Sequence, residues 1–135
     1  MILEAPLSWL LSKLFSSLEH YRIKLIFIHV SYLCIMKLIQ ENIDNIRTLC
    51  MKHHVGRLFV FGSILNPSFK PDSDIDFIVS FRTIRLEDYA DNYFDFKFSL
   101  EDILKREVDL LEEKAIKNPF LLKSIDSTKK LVYES

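Results

Sequence analysis

Cysteine is scarce in this sequence of 135 residues, in which only Cys34 and Cys50 are present. They form no CxxC pair, and no His/Cys cluster with the spacing of zinc ligands accompanies them. This absence argues against a zinc site. We expect two buried thiols in a reducing compartment, and therefore a cytoplasmic protein, with a disulfide between the two residues as the alternative.

An excess of charge of either sign is also absent. The chain has 18 Lys and Arg residues against 19 Asp and Glu residues, for a formal net charge of -1. A general nucleic-acid binder is usually clearly basic. We therefore expect no direct nucleic-acid binding, although a local basic patch is compatible with these counts.

A long apolar run is missing as well. The strongly apolar stretch LIFIHVSYLCIM fills the 12 positions between Lys24 and Lys37, whereas a spanning helix needs roughly 20 residues. Residues 1–12 carry Glu4 and no Lys or Arg, unlike the basic start of a signal peptide. We expect no membrane association, with a membrane tether over residues 22–36 as the alternative.

The composition changes at Met36. From there to Cys50, apolar residues recur at helical spacing with polar residues between them, which predicts an amphipathic helix ended by Gly56. Residues 1–35 show no such period. We divide the chain into an N-terminal extension, residues 1–35, and a domain, residues 36–135. Met36 is a candidate initiator, which would leave the extension upstream of the translated protein.

The rest of the chain predicts alternating strands and helices around one core. Strands are predicted at 57–61, 74–80, 107–111 and 131–133, a helix broken near Ser99 at 86–106, and short helices at 113–117 and 120–127. With 49% apolar residues the chain can bury a core. The order of elements implies an α/β (α+β) domain, in which a small mixed β-sheet has flanking helices.

Two acidic residues open the second predicted strand. Side chains at positions i and i+2 of a strand share a face, so Asp74 and Asp76 would project together while Ile75 and Phe77 enter the core. Adjacent carboxylates repel unless a cation lies between them. Mg²⁺ prefers one or two carboxylates together with substrate phosphates. A solvated strand end is the alternative interpretation.

Two further features suit a nucleotide site. Gly62-Ser63 directly follows the first apolar strand, where a glycine permits close approach to a ligand and a backbone N–H can bind an anion. Asp109 lies between apolar residues of the third predicted strand. If that strand neighbours the second one, Asp109 can reach the same metal and act as a general base. Otherwise it is an edge-strand acid facing water.

With these residues the string FGSILNPSFKPDSDIDFIVSF resembles the nucleotidyltransferases of the DNA polymerase β superfamily, and most of all the minimal nucleotidyltransferase (MNT) group. The signature of that group is Gly-Ser, ten residues, Asp-x-Asp, and a third Asp on a later strand. All parts are present here, as Gly62-Ser63, Asp74 with Asp76, and Asp109. The resemblance covers residues 36–135.

The resemblance implies a polymerase-β-like nucleotidyltransferase fold with a defined site. Gly62 and Ser63 would hold the triphosphate of ATP. Asp74, Asp76 and Asp109 would be the catalytic residues and would bind Mg²⁺, in a two-metal arrangement.

One departure concerns the triphosphate. Many relatives carry an Arg a few residues after Gly-Ser, but residues 64–66 here are Ile-Leu-Asn and Lys70 is the first basic residue. Lys70 is therefore the candidate replacement in nucleotide binding.

The resemblance also implies a reaction and a partner. A nucleoside monophosphate, AMP from ATP, would pass to an acceptor hydroxyl with release of pyrophosphate. Many MNT proteins look like antitoxins that bind a helical HEPN-domain RNase toxin and AMPylate it, typically on a tyrosine. The absent arginine leaves a second interpretation, a non-catalytic antitoxin that neutralises its partner by forming a complex.

Aromatic and histidine side chains outside the motif have simpler explanations. The helix at 86–106 is rich in Tyr and Phe, which mainly fill cores and otherwise could supply a partner surface. The four histidines form no catalytic set. We expect His53-His54 to interact with the end of a helix dipole.

Overall fold

The computed structural model describes residues 6–62 and 73–135. In chain order the elements are α1 (Leu7–Glu41), α2 (Ile43–Lys52), β1 (Val55–Phe61), β2 (Ile75–Phe81), α3 (Leu86–Leu104), β3 (Val108–Glu112), a 3₁₀ turn (Glu113–Ala115), α4 (Pro119–Thr128) and β4 (Lys130–Glu134). Each predicted strand is present within two residues of its expected bounds. The mixed α/β class is confirmed.

The four strands form one sheet in the order β3-β2-β1-β4. β1 is antiparallel to both β2 and β4, whereas β2 and β3 are parallel and are joined by α3. The parallel pair needs such a crossover, since two parallel strands cannot be joined by a tight hairpin. The sheet is therefore mixed, as predicted.

One face of the sheet carries the main core. Alternation along β2 points Ile75, Phe77 and Val79 to this face, where all three are fully buried. Helices α2 and α3 cover them, with Phe96 of α3 also fully buried. Cys50 of α2 belongs to this core as expected, and burial raises the pKa of its thiol to about 12.

The expectation for the other cysteine is wrong. Cys34 is exposed on α1, and both cysteines are free thiols, so no disulfide joins them.

The opposite face of the sheet is covered by α4. Ile78 of β2 and Ile125 of α4 are 2% and 3% exposed, and neither belongs to the main core. Asp76 shares the face of Ile78 by strand alternation. This second layer is thin, and it leaves a cavity at the end of the sheet that bears Asp76.

The amphipathic helix predicted from Met36 differs from the structure at both ends. Helix α1 begins at Leu7 and runs through Met36 to Glu41, so residues 7–35 are helical, although no period was recognised in them from the sequence. Asn42 then interrupts the helix: its backbone has φ −108° and ψ 11°, and its side-chain amide donates to the carbonyl of Leu38 at 2.9 Å. A side chain that bonds the local backbone competes with helix continuation.

Gly56 does not end α2 as expected. The helix ends at Lys52, and His54 takes the left-handed conformation with φ +59°. Gly56 instead lies within β1, where a Cβ atom would come within 3.2 Å of the Ser80 carbonyl oxygen of β2. Its small size therefore serves strand pairing.

Helix α3 is continuous through Ser99, contrary to the predicted break, and it ends at Leu104. Lys105 then adopts a left-handed conformation with φ +53°. The aromatic residues of α3 lie on different faces of the helix. Phe96 is buried, while Phe94 and Phe98 are about half exposed and stack on each other.

Helix α1 enters the core of the domain near its C-terminal end, where Ile35 and Ile39 are buried. Among the described helices it is the one whose length and apolar composition could suit a bilayer. That observation is weak by itself, because core helices and signal sequences have the same properties.

Candidate active site

Asp76 and Asp109 lie side by side in the sheet. They are Cα partners in the parallel register of β2 and β3, and neighbouring strands lie about 4.8 Å apart. Residues paired in this way present their side chains on the same face. The sequence-based condition for Asp109, that its strand must neighbour the second one, is met. Asp109 is exposed and Asp76 is half-buried.

Gly62 reaches the same place from β1. The preceding residue, Phe61, pairs with Asp76 in the antiparallel register. Gly62 has φ +62°, a left-handed conformation that costs an L-residue about 1–2 kcal/mol. A Cβ atom there would meet no described atom within 4 Å, so the glycine is required by its backbone angle rather than by crowding.

These three residues line one cavity of about 350 Å³, together with a wall formed by α4. The described lining is Phe61, Gly62, Asp76, Asp109, Leu111, Leu121, Ser124, Ile125 and Thr128. The structure therefore brings together three of the six site residues expected from the sequence.

The α4 wall was not recognised from the sequence. Positions 121, 124, 125 and 128 share one face of a helix, which is the usual (i, i+3, i+4) pattern. The sequence does contain the signal for the start of this helix, an Asn followed by a Pro. Asn118 accepts hydrogen bonds from the N–H groups of Phe120 and Leu121 at 3.0 and 3.4 Å, and Pro119 is at the first helical position. What the sequence did not reveal is that this face lies over Asp76.

Asp74 lies one residue before β2, where it is exposed, and it is absent from the described lining of the cavity. The predicted strand was therefore one residue too long at this end. The backbone around Asp74 is nevertheless held in place. The Arg106 guanidinium donates to the Ser73 carbonyl, and the Ile75 N–H donates to the Glu107 carbonyl at 2.9 Å.

The two remaining predicted residues, Ser63 and Lys70, lie outside the described residues.

Comparison with known proteins assigns the chain to a family. Residues 44–135 match the family described as "Polymerase beta, Nucleotidyltransferase". The chain belongs to this nucleotidyltransferase family. A Methanocaldococcus jannaschii relative provisionally named as a protein adenylyltransferase is 37% identical over 95 residues, which are 67% of this chain and 94% of that protein.

Solved structures agree with this membership. One provisionally described as a minimal nucleotidyltransferase shares 26% identity with a TM-score of 0.57, covering 70% of this chain and 92% of that chain. Another comes from the complex of a tri-AMPylated Shewanella oneidensis HEPN toxin with an MNT antitoxin. It shares 20% identity with a TM-score of 0.50, covering 72% and 73%. At that identity the second likeness concerns the fold alone.

A divalent ion at this site would need oxygen ligands. Across residues 6–62 and 73–135, no three His, Cys, Asp or Glu side chains converge as a preformed metal cluster. The described end of the sheet presents the pair Asp76 and Asp109. Such a pair fits Mg²⁺, which takes one or two carboxylates and completes its shell with phosphate oxygens and water.

The strand that carries Asp109 is tied to α3 on the opposite face of the sheet. The Tyr93 hydroxyl donates to the Leu110 carbonyl, and the Tyr89 hydroxyl donates to the Glu112 carboxylate. Burial, followed by the charges of Asp109 and Glu112, raises the pKa of Tyr93, so its hydroxyl stays protonated as a donor. Burial and the Glu112 hydrogen bond likewise raise the pKa of Tyr89. These contacts fix the position of β3, which lies at the edge of the described sheet.

Proposed function

We propose that this nucleotidyltransferase transfers AMP from Mg-ATP to a hydroxyl group of a helical HEPN-type toxin and thereby acts as its antitoxin. The observation that carries the proposal is the register pairing of Asp76 with Asp109 beside Gly62, at the edge of one cavity. The named activity of the 37% identical relative, which is matched over 94% of its length, supports protein adenylylation.

In the proposed reaction an acceptor hydroxyl oxygen attacks the α-phosphorus of ATP. A bond forms between these two atoms, the bond from the α-phosphorus to the bridging oxygen breaks, and pyrophosphate leaves with its electron pair. Asp109, which is exposed at the cavity edge, is the candidate base that accepts the hydroxyl proton. AMP is then joined to the partner through a phosphodiester bond.

The other residues hold the nucleotide. Asp76 and Asp109, joined by Asp74, would bind Mg²⁺, which neutralises charge on the phosphates and orients them. Gly62 turns the backbone at the end of β1, and we assign Gly62, Ser63 and Lys70 to the triphosphate. Lys70 would take the place of the arginine that many relatives have.

The proposal assigns catalysis to residues 36–135 and treats residues 1–35 as an extension. We propose the cytoplasm as its compartment, since the substrate ATP and free thiols such as Cys34 and Cys50 both fit a reducing interior. The exposed stacked pair Phe94 and Phe98 on α3 is the candidate contact surface for the toxin.

Label transfer tests the proposal directly. The full chain is incubated with Mg²⁺ and the helical protein encoded by the neighbouring gene, using ATP labelled at either the α- or the γ-phosphate. We expect the α-label alone to appear on the partner, because the γ-phosphate leaves with pyrophosphate. Asp74→Ala/Asp76→Ala should reduce transfer by about 100-fold or more, because the metal site is lost. Asp102→Ala, an exposed acid on α3, is the matched control.

Failure of label transfer with all four nucleoside triphosphates would contradict the catalytic proposal. The missing arginine motivates the alternative of a non-catalytic antitoxin. That alternative is supported if Asp74→Ala/Asp76→Ala neutralises the toxin in cells as fully as the unaltered chain does.

A further inference from the structure

Helix α1 carries a continuous apolar seam. Its members alternate in steps of four and three residues, the spacing of the core positions in a coiled coil. The seam consists of Leu7, Leu11, Leu14, Leu18, Tyr21, Leu25, Ile28, Tyr32, Ile35 and Ile39. Every position of this pattern along α1 is apolar or a tyrosine.

Burial changes along the seam. At its C-terminal end, Ile35 and Ile39 are 2% and 3% exposed within the domain core. Ile28 and Tyr32 are half-buried. All seam members from Leu7 to Leu25 are exposed, although they belong to the same seam as Ile35 and Ile39. Within the described residues, the outer part of the seam is therefore not covered by its own chain.

We propose that the seam pairs antiparallel with the seam of a second copy of this chain. One register aligns the seam from residue 7 to residue 32. It sets Leu7 opposite Tyr32, Leu11 opposite Ile28, Leu14 opposite Leu25, and Leu18 opposite Tyr21. The two-fold axis repeats each of these pairs. The seam from residue 7 to residue 32 spans nearly four heptads, which is the length at which such a pattern becomes meaningful.

The aromatic members favour this orientation over a parallel one. In the antiparallel register each tyrosine of the seam faces a leucine. Parallel pairing would place Tyr21 against Tyr21 and Tyr32 against Tyr32, two bulky layers that do not interdigitate.

The flanking charges do not oppose this orientation. In an antiparallel pair, residues that flank the seam on the same side of each helix lie next to each other. This places Arg22 near Phe15 and Lys24 near Ser17 of the other copy. Parallel pairing places Lys24 near His29 instead.

A groove beside the inner part of the seam would also be filled by a second copy. It has a volume of about 380 Å³ and lies between α1 and the junction of α4 with β4; its lining is Leu25, Ile28, His29, Tyr32, Ser127, Thr128 and Lys130. The same register places Leu7 and Leu11 of the second copy on Tyr32 and Ile28. The exposed end of one helix would thus fill the apolar groove of the other.

The groove adjoins the active site, because Thr128 lines both this groove and the cavity that holds Asp76. The end of the second copy's helix would therefore pack against the α4 wall of the site. The dimer is inferred from α1 and the groove, and it does not depend on the proposed acceptor.

A lipid bilayer is the less suitable occupant. Lys13, Glu19, Arg22 and Lys24 interrupt the outer half of α1, so its most apolar stretch lies C-terminal to Lys24 and leads into the domain core. The inner half is anchored in a soluble core by Ile35 and Ile39.

The mass of the full chain in solution tests the proposal. Sedimentation equilibrium should give twice the 16.0 kDa of one chain. Leu14→Glu/Leu25→Glu should halve this mass, because it places two carboxylates opposite each other in two layers. Ile23→Glu/Val30→Glu makes the same chemical change on the outer face of α1, where both residues are about half exposed, and should leave the dimer intact. Circular dichroism checks that each variant is folded.

A charge exchange tests the orientation. Leu14→Glu/Leu25→Lys should recover the twofold mass, because only antiparallel pairing sets each Glu opposite a Lys. A monomeric unaltered chain overturns the proposal, as does equal dissociation of the seam and outer-face variants. Sedimentation of the unaltered monomer with vesicles of phosphatidylcholine and phosphatidylglycerol would assign α1 to a membrane surface and overturn it too.

Discussion

At the scale of single residues, His53 shows how burial changes an expected role. It directly follows α2 and is 6% exposed, with its ring 5.8 Å from that of Phe96. Its Nδ1 lies 3.2 Å from the Asn92 Oδ1, and the Asn92 amide donates to the His53 carbonyl at 2.9 Å. Burial lowers the pKa of His53. The side chain is thus a neutral link between α2 and α3 rather than the expected cation at a helix end.

The lowered pKa of His53 predicts a loss of stability in mild acid. The unfolded chain binds a proton near pH 6.5 while the folded chain resists it, so the free energy of unfolding falls as the pH drops from about 6.5 toward the folded pKa. Urea midpoints should decrease between about pH 7.5 and 5.5. His53→Gln should show a smaller decrease, and His54→Gln should behave like the unaltered chain. Equal decreases in all three proteins would refute this account.

At the scale of elements, the turn between α3 and β3 positions the acidic segment before β2. Arg106 lies in this turn and donates to the Ser73 carbonyl, and the adjacent Glu107 carbonyl accepts from Ile75. Glu101 of α3 also accepts from the Val108 N–H at 3.1 Å. The start of β2 is therefore fixed from the parallel strand beside it, although neither Arg106 nor Glu107 lines the cavity.

Arg106 is accordingly expected to be a positioning residue. Arg106→Gln should lower the rate of label transfer roughly 10- to 100-fold, because small displacements of catalytic groups have large effects. The KM for ATP should change less than the kcat, and Arg106→Lys should recover part of the rate. Lys117→Gln, an exposed residue, is the control. A rate that follows thermal stability alone in all variants would show that Arg106 is only structural.

At the scale of the whole molecule, the described chain consists of the sheet domain and the long N-terminal helix α1. The family match begins at residue 44, and the four-stranded sheet with its covering helices contains the described site. Helix α1 adds Ile35 and Ile39 to the core and extends the apolar seam outward. The proposed boundary at Met36 falls inside this helix, one residue after Ile35.

A chain that begins at Met36 tests this division. It should fold and retain label transfer, because it keeps Ile39 and all site residues. It should be monomeric, because the outer seam is removed. The loss of Ile35 should reduce the free energy of unfolding by about 1.5–3 kcal/mol, the value of one buried large aliphatic side chain. The loss of Tyr32, which packs against the same core, adds to this reduction. Urea unfolding measures this difference, and an unfolded or inactive product would contradict the assignment of residues 36–135 as the domain.

The sequence alone determined what depends on neighbouring residues. Period-two alternation and apolar runs located all four strands, and the motif of Gly62-Ser63 with Asp74, Asp76 and Asp109 identified the nucleotidyltransferase family. These features are local, because side-chain direction in a strand follows from position in the chain.

Only the tertiary structure decided what depends on distant pairing. The parallel register sets Asp109 beside Asp76, and α4 forms a wall of the cavity that both residues line. The seam of α1 was recognised only from the structure, in which Ile35 and Ile39 are buried in the core and the members from Leu7 to Leu25 are exposed. Register and burial arise from contacts between segments far apart in the chain, and local periodicity carries no information about which segments meet.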